Sequence, residues 1–390
     1  MLTTARTITL QRATGDDYTS IVTITPPQTN TKTNTTTAPT PAVYLLAVDT
    51  SYSMHSAATV VTDDGDRVEH GFSLLDLAKH ASATIVETLG QGDRLSVITF
   101  SDKARVLVPW ADMHAGDAGK AAKESARATI DGMRPETSTN LLECLNLAYA
   151  QLASVPDLSA EDALGLTFNV ILLTDGRATP SFDPPRGDAG YLPHVRRLSE
   201  QMVERFGPHA SKVTLTSIGL GNDLNSDLLS TMSDTFLHIP DPGSVGPFVV
   251  NLLGAIRSTA RLDGVAARDA RLVVEPAEAL VGPLAGYRLT GGAAGEAHIP
   301  LGALAYDQPR HVLLPLGPPS ALEVTKIHLE VSGRRVASVE ASAEWAVIDS
   351  GALGRRLAAE ALRLKTVAAL RKLAADTSRG TARTPPPVAP

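Results

Sequence analysis

Val43-Tyr44-Leu45-Leu46-Ala47-Val48-Asp49-Thr50-Ser51-Tyr52-Ser53 decides how this 390-residue chain folds. Residues 43–48 are apolar on successive positions, so both faces of the segment need cover. A strand of that kind belongs in a parallel sheet with helices on each side. The run ends in a carboxylate and two hydroxyls at alternate positions, Asp49, Ser51 and Ser53. Such hard oxygens on a fixed loop suit Mg²⁺ or Mn²⁺. Asp and Ser also make ordinary turns. The weight comes from two later segments, Thr137-Ser138-Thr139-Asn140-Leu141 and Leu172-Leu173-Thr174-Asp175-Gly176.

Outward from this stretch, strands and helices take turns. Apolar strand-like runs fall at 43–48, 95–100, 104–109, 168–174, 213–219 and 235–239. Helical patterns lie between them at about 73–89, 117–131, 140–153, 191–206, 225–233 and 244–258. The alternation predicts a doubly wound, mostly parallel α/β sheet over residues 42–260. Ligands of such sheets bind outside the carboxyl ends of the strands. Asp49 and Asp175 each fall just past a predicted strand, which is an independent argument for a site. Residues 56–72 read as a β-hairpin inserted after the first strand. Its acidic tip, Asp63-Asp64-Gly65-Asp66, is a turn and lacks EF-hand spacing.

These motifs resemble the metal-ion-dependent adhesion site of a von Willebrand factor type A domain. The resemblance covers about residues 42–260. It rests on Asp49-Thr50-Ser51-Tyr52-Ser53-Met54, Thr139-Asn140-Leu141, Leu173-Thr174-Asp175-Gly176 and Ile218-Gly219-Leu220-Gly221-Asn222-Asp223, in the family's order. It implies that Ser51, Ser53 and Thr139 supply hydroxyl ligands to a divalent cation, Mg²⁺ or Mn²⁺. Asp49 and Asp175 then stand behind and hold the charge, often through water. The resemblance further implies that an exposed Asp or Glu of a partner protein completes the shell. Two positions depart from the family pattern. Tyr52 stands where Gly usually separates the serines, and Ser138 stands where Gly often precedes the metal Thr. Neither change removes a donor oxygen. A wider likeness reaches intracellular proteins that join this domain to a β domain and sometimes to a U-box, RING or Hint module. It is carried by Phe72-Ser73-Leu74-Leu75-Asp76-Leu77, Ile239-Pro240-Asp241, Leu301-Gly302-Ala303-Leu304 and the Pro26-Pro27 pair. No such module is visible here, and a single cysteine excludes a zinc RING, so ligase activity does not carry over.

Each ligand also has a structural reading. Asp49 and Asp175 could end strands as turn residues, and Ser53 or Thr139 could cap helices. Jointly, on one side of one sheet, the metal reading is favoured. His55, His70 and His80 have no metal-pair spacing and read as surface or supporting residues. Ser51 as a hydrolase nucleophile lacks a Gly-x-Ser-x-Gly elbow. Gly219-Leu220-Gly221 lacks the rest of a dinucleotide fingerprint.

The remaining segments form a second body. Residues 6–25 read as two strands, expected within 1–27 to join a β domain at 261–348. That domain is an antiparallel sandwich, with strand-like runs at 270–275, 311–316 and 326–331. Residues 28–41 are a Thr-, Asn- and Pro-rich linker. Residues 349–376 read as a C-terminal helix, made basic by Arg355, Arg356, Arg363, Lys365, Arg371 and Lys372. Packing on the β domain with a solvated basic face is favoured there over binding of a partner or lipid. The tail, 377–390, is Pro-rich and expected to be disordered.

Composition narrows the function. The net charge of −7 argues against a broad nucleic-acid surface. Cys144 is the sole cysteine and falls in a helical pattern, so no intrachain disulfide forms and a buried small residue is expected. The chain shows neither a signal peptide nor a membrane span, and a cytoplasmic protein is expected. The expected function is a non-catalytic, metal-dependent protein-binding module. The alternatives are a Mg²⁺-dependent phosphohydrolase, which Ser51 disfavours by replacing the second Asp of an Asp-x-Asp site, and a scaffold with a vestigial metal site. The sequence leaves the oligomeric state open.

Overall fold

The computed structural model describes residues 8–12, 19–28, 39–61, 67–113, 116–209, 212–282, 295–317 and 324–341, with scattered positions in 284–291 and 355–373. The chain divides into two compact units, residues 30–268 and residues 1–29 with 269–390. Most of the linker at 28–41, the hairpin tip and the whole tail at 377–390 lie outside the described residues.

The first unit is built on a six-stranded sheet. Its strands are β1 (Ala42–Asp49), β2 (Asp93–Phe100), β3 (Ala104–Met113), β4 (Thr167–Thr174), β5 (Thr214–Leu220) and β6 (Thr235–Ile239). Their spatial order is β6-β5-β4-β1-β2-β3. All neighbours pair in parallel except β2 and β3. The helices α1 (Leu74–Thr88), α2 (Asp117–Asp131), α3 (Leu141–Ala153), α4 (Ala160–Leu164), α5 (Tyr191–Phe206), α6 (Ser226–Met232) and α7 (Val245–Arg257) cover it.

The apolar run of β1 explains the two layers. Tyr44, Leu46 and Val48 enter a core with α1, α2 and α7. Val43, Leu45 and Ala47 enter another with α3, α5 and α6. Side chains alternate across a strand, so one continuous apolar segment serves two cores. Strand β1 lies between β2 and β4, whose connections leave it in opposite directions. The crevice at its carboxyl end is therefore a topological switch point. The hairpin pairs Ala57–Val61 with Arg67–Ser73, and Ser73 then caps α1 through a reciprocal bond pair with Asp76.

The segment at 104–109 proves longer than its apolar run, extending to Met113, and it runs antiparallel to β2. Only Ser101, Asp102 and Lys103 join the two strands. A connection that short makes a hairpin, because a parallel crossover needs a dozen or more residues.

The second unit contains two antiparallel sheets. Ile8–Arg12 pairs with Thr19–Ile24, which pairs with Arg310–Pro315. The other sheet has five strands, with Ala270–Glu275 at its centre between Ala297–Gly302 and Thr325–Val331. Leu364 of the C-terminal helix is buried with Ile21 and Leu313.

Candidate metal centre

The site grows from the last residue of β1. Asp49 is fully buried. Its Oδ1 accepts the Ser51 N–H at 2.8 Å, which folds the chain back over the strand end. Its Oδ2 accepts the Thr174 hydroxyl at 2.5 Å. Thr174 ends β4, and its oxygen in turn accepts the Gly176 N–H at 2.9 Å. The Ser51 and Ser53 hydroxyl oxygens lie 3.1 Å apart. Ser51 is buried, whereas Ser53 is half-buried in a short 3₁₀ turn, Tyr52–His55.

Thr139 and Asp175 come from the other two loops, and both are buried. The Thr139 N–H donates to the Thr179 hydroxyl at 3.0 Å, and the Thr179 N–H donates to the Thr139 carbonyl at 2.9 Å. Asp175 follows β4 directly, and its Oδ1 accepts the Arg177 N–H at 3.0 Å. The first loop is joined to the second by two backbone bonds. Tyr52 N–H donates to the Thr137 carbonyl at 2.8 Å, and Glu136 N–H donates to the Thr50 carbonyl at 2.5 Å. Asp49, Ser51 and Ser53 are thus linked directly, Asp175 through its neighbour Thr174, and Thr139 is tied to Thr179 in the segment that follows Asp175.

Neither Ser53 nor Thr139 is a helix cap. Asn140 caps α3, its side-chain oxygen accepting the Glu143 N–H at 3.1 Å. Ser53 sits inside its turn. The Thr139 hydroxyl forms no hydrogen bond among the described residues, and its oxygen is not among the sealed, unpartnered ones, so it is open to a ligand although the residue is largely buried. Gly176 has φ +71°, and a Cβ there would lie 2.9 Å from Leu229. The Thr-Asp-Gly turn therefore needs its glycine for both backbone and space.

Sequence reasoning missed Thr174 and Thr179, which hold the site together. Thr174 adjoins Asp175 in the quoted motif, but nothing in the sequence shows that its hydroxyl reaches across to β1. Thr179 lies forty residues from its partner in an irregular segment.

The electrostatics disfavour an uncompensated charge on Asp49. Burial, and then the Asp175 carboxylate, push Asp49 up to about 7, against the opposing pull of its bonds from Ser51 and Thr174. The groups acting most strongly on Asp49 include no cationic side chain. The donor set is two carboxylates and three hydroxyls, all hard oxygens, and it fits a small divalent cation that retains waters. Among the described residues no three His, Cys, Asp or Glu side chains gather as another kind of metal centre. The rim is different in character. Tyr52 is 73% exposed and stacks on His55 with ring centroids 6.2 Å apart. Arg177 and Asp223 form an exposed ion pair at 3.3 Å.

Comparison with known proteins agrees with this architecture. A family model for the von Willebrand factor type A domain matches residues 44–177. A von Willebrand factor type A protein from Catenulispora acidiphila superimposes with a TM-score of 0.51 at 16% identity, covering 87% of this chain and 74% of its own. BatB from Bacteroides thetaiotaomicron gives a TM-score of 0.40 at 14% identity, over 55% of this chain and 98% of its own. Proximal thread matrix protein 1 of the mussel byssus, in a form with zinc in its MIDAS motif, gives 0.36 at 16% identity, over 56% and 46%. No curated protein matches the chain. With its doubly wound sheet and the family match that runs from β1 to Arg177, the chain carries a von Willebrand factor type A domain.

Proposed function

We propose that the α/β unit is a non-catalytic protein-binding module that works through a divalent cation, Mg²⁺ or Mn²⁺. Ser51, Ser53 and Thr139 would hold the ion through neutral hydroxyls, with Asp49 and Asp175 behind them. Bound there, the ion supplies an electron-poor centre for a carboxylate from outside. The partner is therefore a protein presenting an exposed Asp or Glu. The observation that carries this reading is the convergence of three loops on two buried carboxylates, of which Asp49 has no cationic side chain among the groups acting most strongly on it.

The protein's own residues set the terms of binding. Asp49 keeps the first loop folded through the Ser51 amide. Thr179 holds Thr139 by its backbone and leaves its hydroxyl free. Tyr52, exposed between the two serines, offers a partner an apolar ring beside the carboxylate. A reducing, cytoplasmic setting goes with this reading, since the only cysteine is buried and unpaired. No helix among the described residues is long and apolar enough to cross a membrane.

Calorimetric titration of Mg²⁺ and Mn²⁺ into wild type and Asp49→Ala tests the site. Heat of binding is expected from wild type alone. Pull-down with and without EDTA then tests the partner chemistry. Captured proteins that persist equally in EDTA, or in Thr139→Ala, would sink the metal-bridged mode.

A further inference from the structure

The loop that carries Thr139 is held from outside the metal site by one acid, Glu136. Its N–H donates to the Thr50 carbonyl at 2.5 Å, which ties the loop to the residue after β1. Its carboxylate reaches the other way. Oε2 accepts the Ser101 hydroxyl at 2.6 Å and an Arg105 N–H at 3.2 Å, and Oε1 accepts a second Arg105 N–H. Ser101 is fully buried, and its carbonyl accepts the Asn140 N–H at 2.6 Å. The turn between β2 and β3 therefore grips this loop on both sides of Thr139, at Glu136 before it and at Asn140 after it.

Most exposed ion pairs contribute little. This one differs in two respects. Arg105 bonds both carboxylate oxygens, a two-point contact that fixes direction as well as distance. The same carboxylate is also held by the buried Ser101, whose other hydroxyl contact, Asp102 Oδ1, is longer at 3.1 Å. The bond from Arg105 holds the Glu136 carboxyl below its usual range, against partial burial and with help from Ser101, so the anion is the form that holds the loop.

We propose, resting on the metal-dependent reading of the site, that Glu136 and Arg105 are positioning residues that fix where the Thr139 hydroxyl stands and so favour Mg²⁺ over Ca²⁺. Neither supplies a ligand. Mg²⁺ takes its oxygens at about 2.0–2.1 Å in a near-ideal octahedron, whereas Ca²⁺ accepts them at about 2.3–2.6 Å in a flexible shell. A hydroxyl held in one place serves the smaller ion. A hydroxyl on a loosened loop serves the larger ion nearly as well.

The two residues carry opposite charges, which separates position from charge. Through its field alone, Glu136 would attract a cation and Arg105 would repel it. Glu136→Ala would then weaken metal binding and Arg105→Ala would strengthen it. As a latch on the loop, both variants weaken it.

Calorimetric titration of Mg²⁺ and of Ca²⁺ into the full chain tests this, with wild type, Glu136→Ala, Glu136→Gln and Arg105→Ala. Both alanine variants are expected to lose about tenfold or more in Mg²⁺ affinity, the scale for groups that orient a metal's ligands. The loss for Ca²⁺ is expected to be smaller, so the ratio of the two affinities moves. Glu136→Gln keeps an acceptor for Ser101 and Arg105 and is expected to recover part of the loss. Circular dichroism in EDTA checks the fold. Arg105 is exposed, so Arg105→Ala decides the matter should Glu136→Ala not fold. Unchanged or tighter Mg²⁺ binding by Arg105→Ala overturns the proposal, as does an equal loss for both ions. A wild type that binds neither ion overturns the metal reading and the proposal with it. A wild type that binds, with variants that match it, overturns the proposal alone.

Discussion

Asp49→Asn should make the metal-free protein more stable, although it removes a residue that holds the site. Burial and Asp175 raise the Asp49 pKa from 3.8 to about 7. Folding above pH 7 without metal therefore carries the cost of keeping an ionised carboxylate in that place. At about 1.4 kcal/mol per pH unit, this cost is roughly 4 kcal/mol. Asn keeps the shape and can accept the Ser51 amide bond. The Thr174 hydroxyl loses its carboxylate acceptor and must turn to accept from the new amide, which gives back about 1–2 kcal/mol. The net gain is about 2–3 kcal/mol, or roughly 5–10 °C in Tm for a domain of this size. The sign follows from proton uptake. The folded state holds a proton on Asp49 that the unfolded state has lost, so wild-type stability falls relative to the variant as pH rises from about 4 to about 7. Above about 7 the gap is constant. Saturating Mg²⁺ at pH 8 should reverse the order, because the ion binds the folded wild type and not its unfolded chain. Thermal denaturation in EDTA at pH 5 and pH 8, then with Mg²⁺, is the assay. A gap unchanged between the two pH values in EDTA, or wild type the more stable of the two at pH 8 in EDTA, would refute the reasoning.

Thr139→Ala should leave thermal stability in EDTA within about 0.5 kcal/mol of wild type, since its hydroxyl bonds to nothing among the described residues, while calorimetric metal binding is lost. Gly176→Ala should cost about 1–3 kcal/mol in urea denaturation, because φ is +71° and the added Cβ meets Leu229 at 2.9 Å. Cys144 should be unreactive toward a thiol reagent in the native protein, because burial pushes its thiol well up and seals it from solvent. Its modification rate should follow global unfolding as urea is added, and rapid labelling without urea would contradict its burial.

The sheet was legible where chemistry and periodicity agreed. Residues 43–48 show no alternation, and the two cores that share β1 are the physical reason. The helix at 191–206 has the bounds its pattern suggested, since Tyr191, Val195, Leu198, Met202 and Phe206 fill one buried face. Direction was harder. Apolar content does not tell a parallel strand from an antiparallel one, and β3 shows its direction only through the three residues that precede it. The positions of Asp49, Ser51, Ser53, Thr139 and Asp175 could be read as candidates because donor types stand in sequence beside strand ends. The scaffold between them could not. Thr174 and Thr179 are ordinary threonines in sequence, and their roles arise from contacts between loops that no local pattern records. At the C-terminal helix the basic face stood out in composition.

The mutual bonding of the three site loops bears on how quickly the site can respond. Tyr52, Glu136, Thr139 and Thr179 each commit a backbone N–H to a neighbouring loop by protein groups alone. On the proposed reading, an arriving ion would meet a socket whose walls already stand, and little chain entropy would be lost on entry. Its residence would be governed by shedding and regaining water, with no folding step in the way. A partner that supplies or withdraws a carboxylate could thus come and go with the ion still seated, and the surrounding sheet would take no part in the exchange.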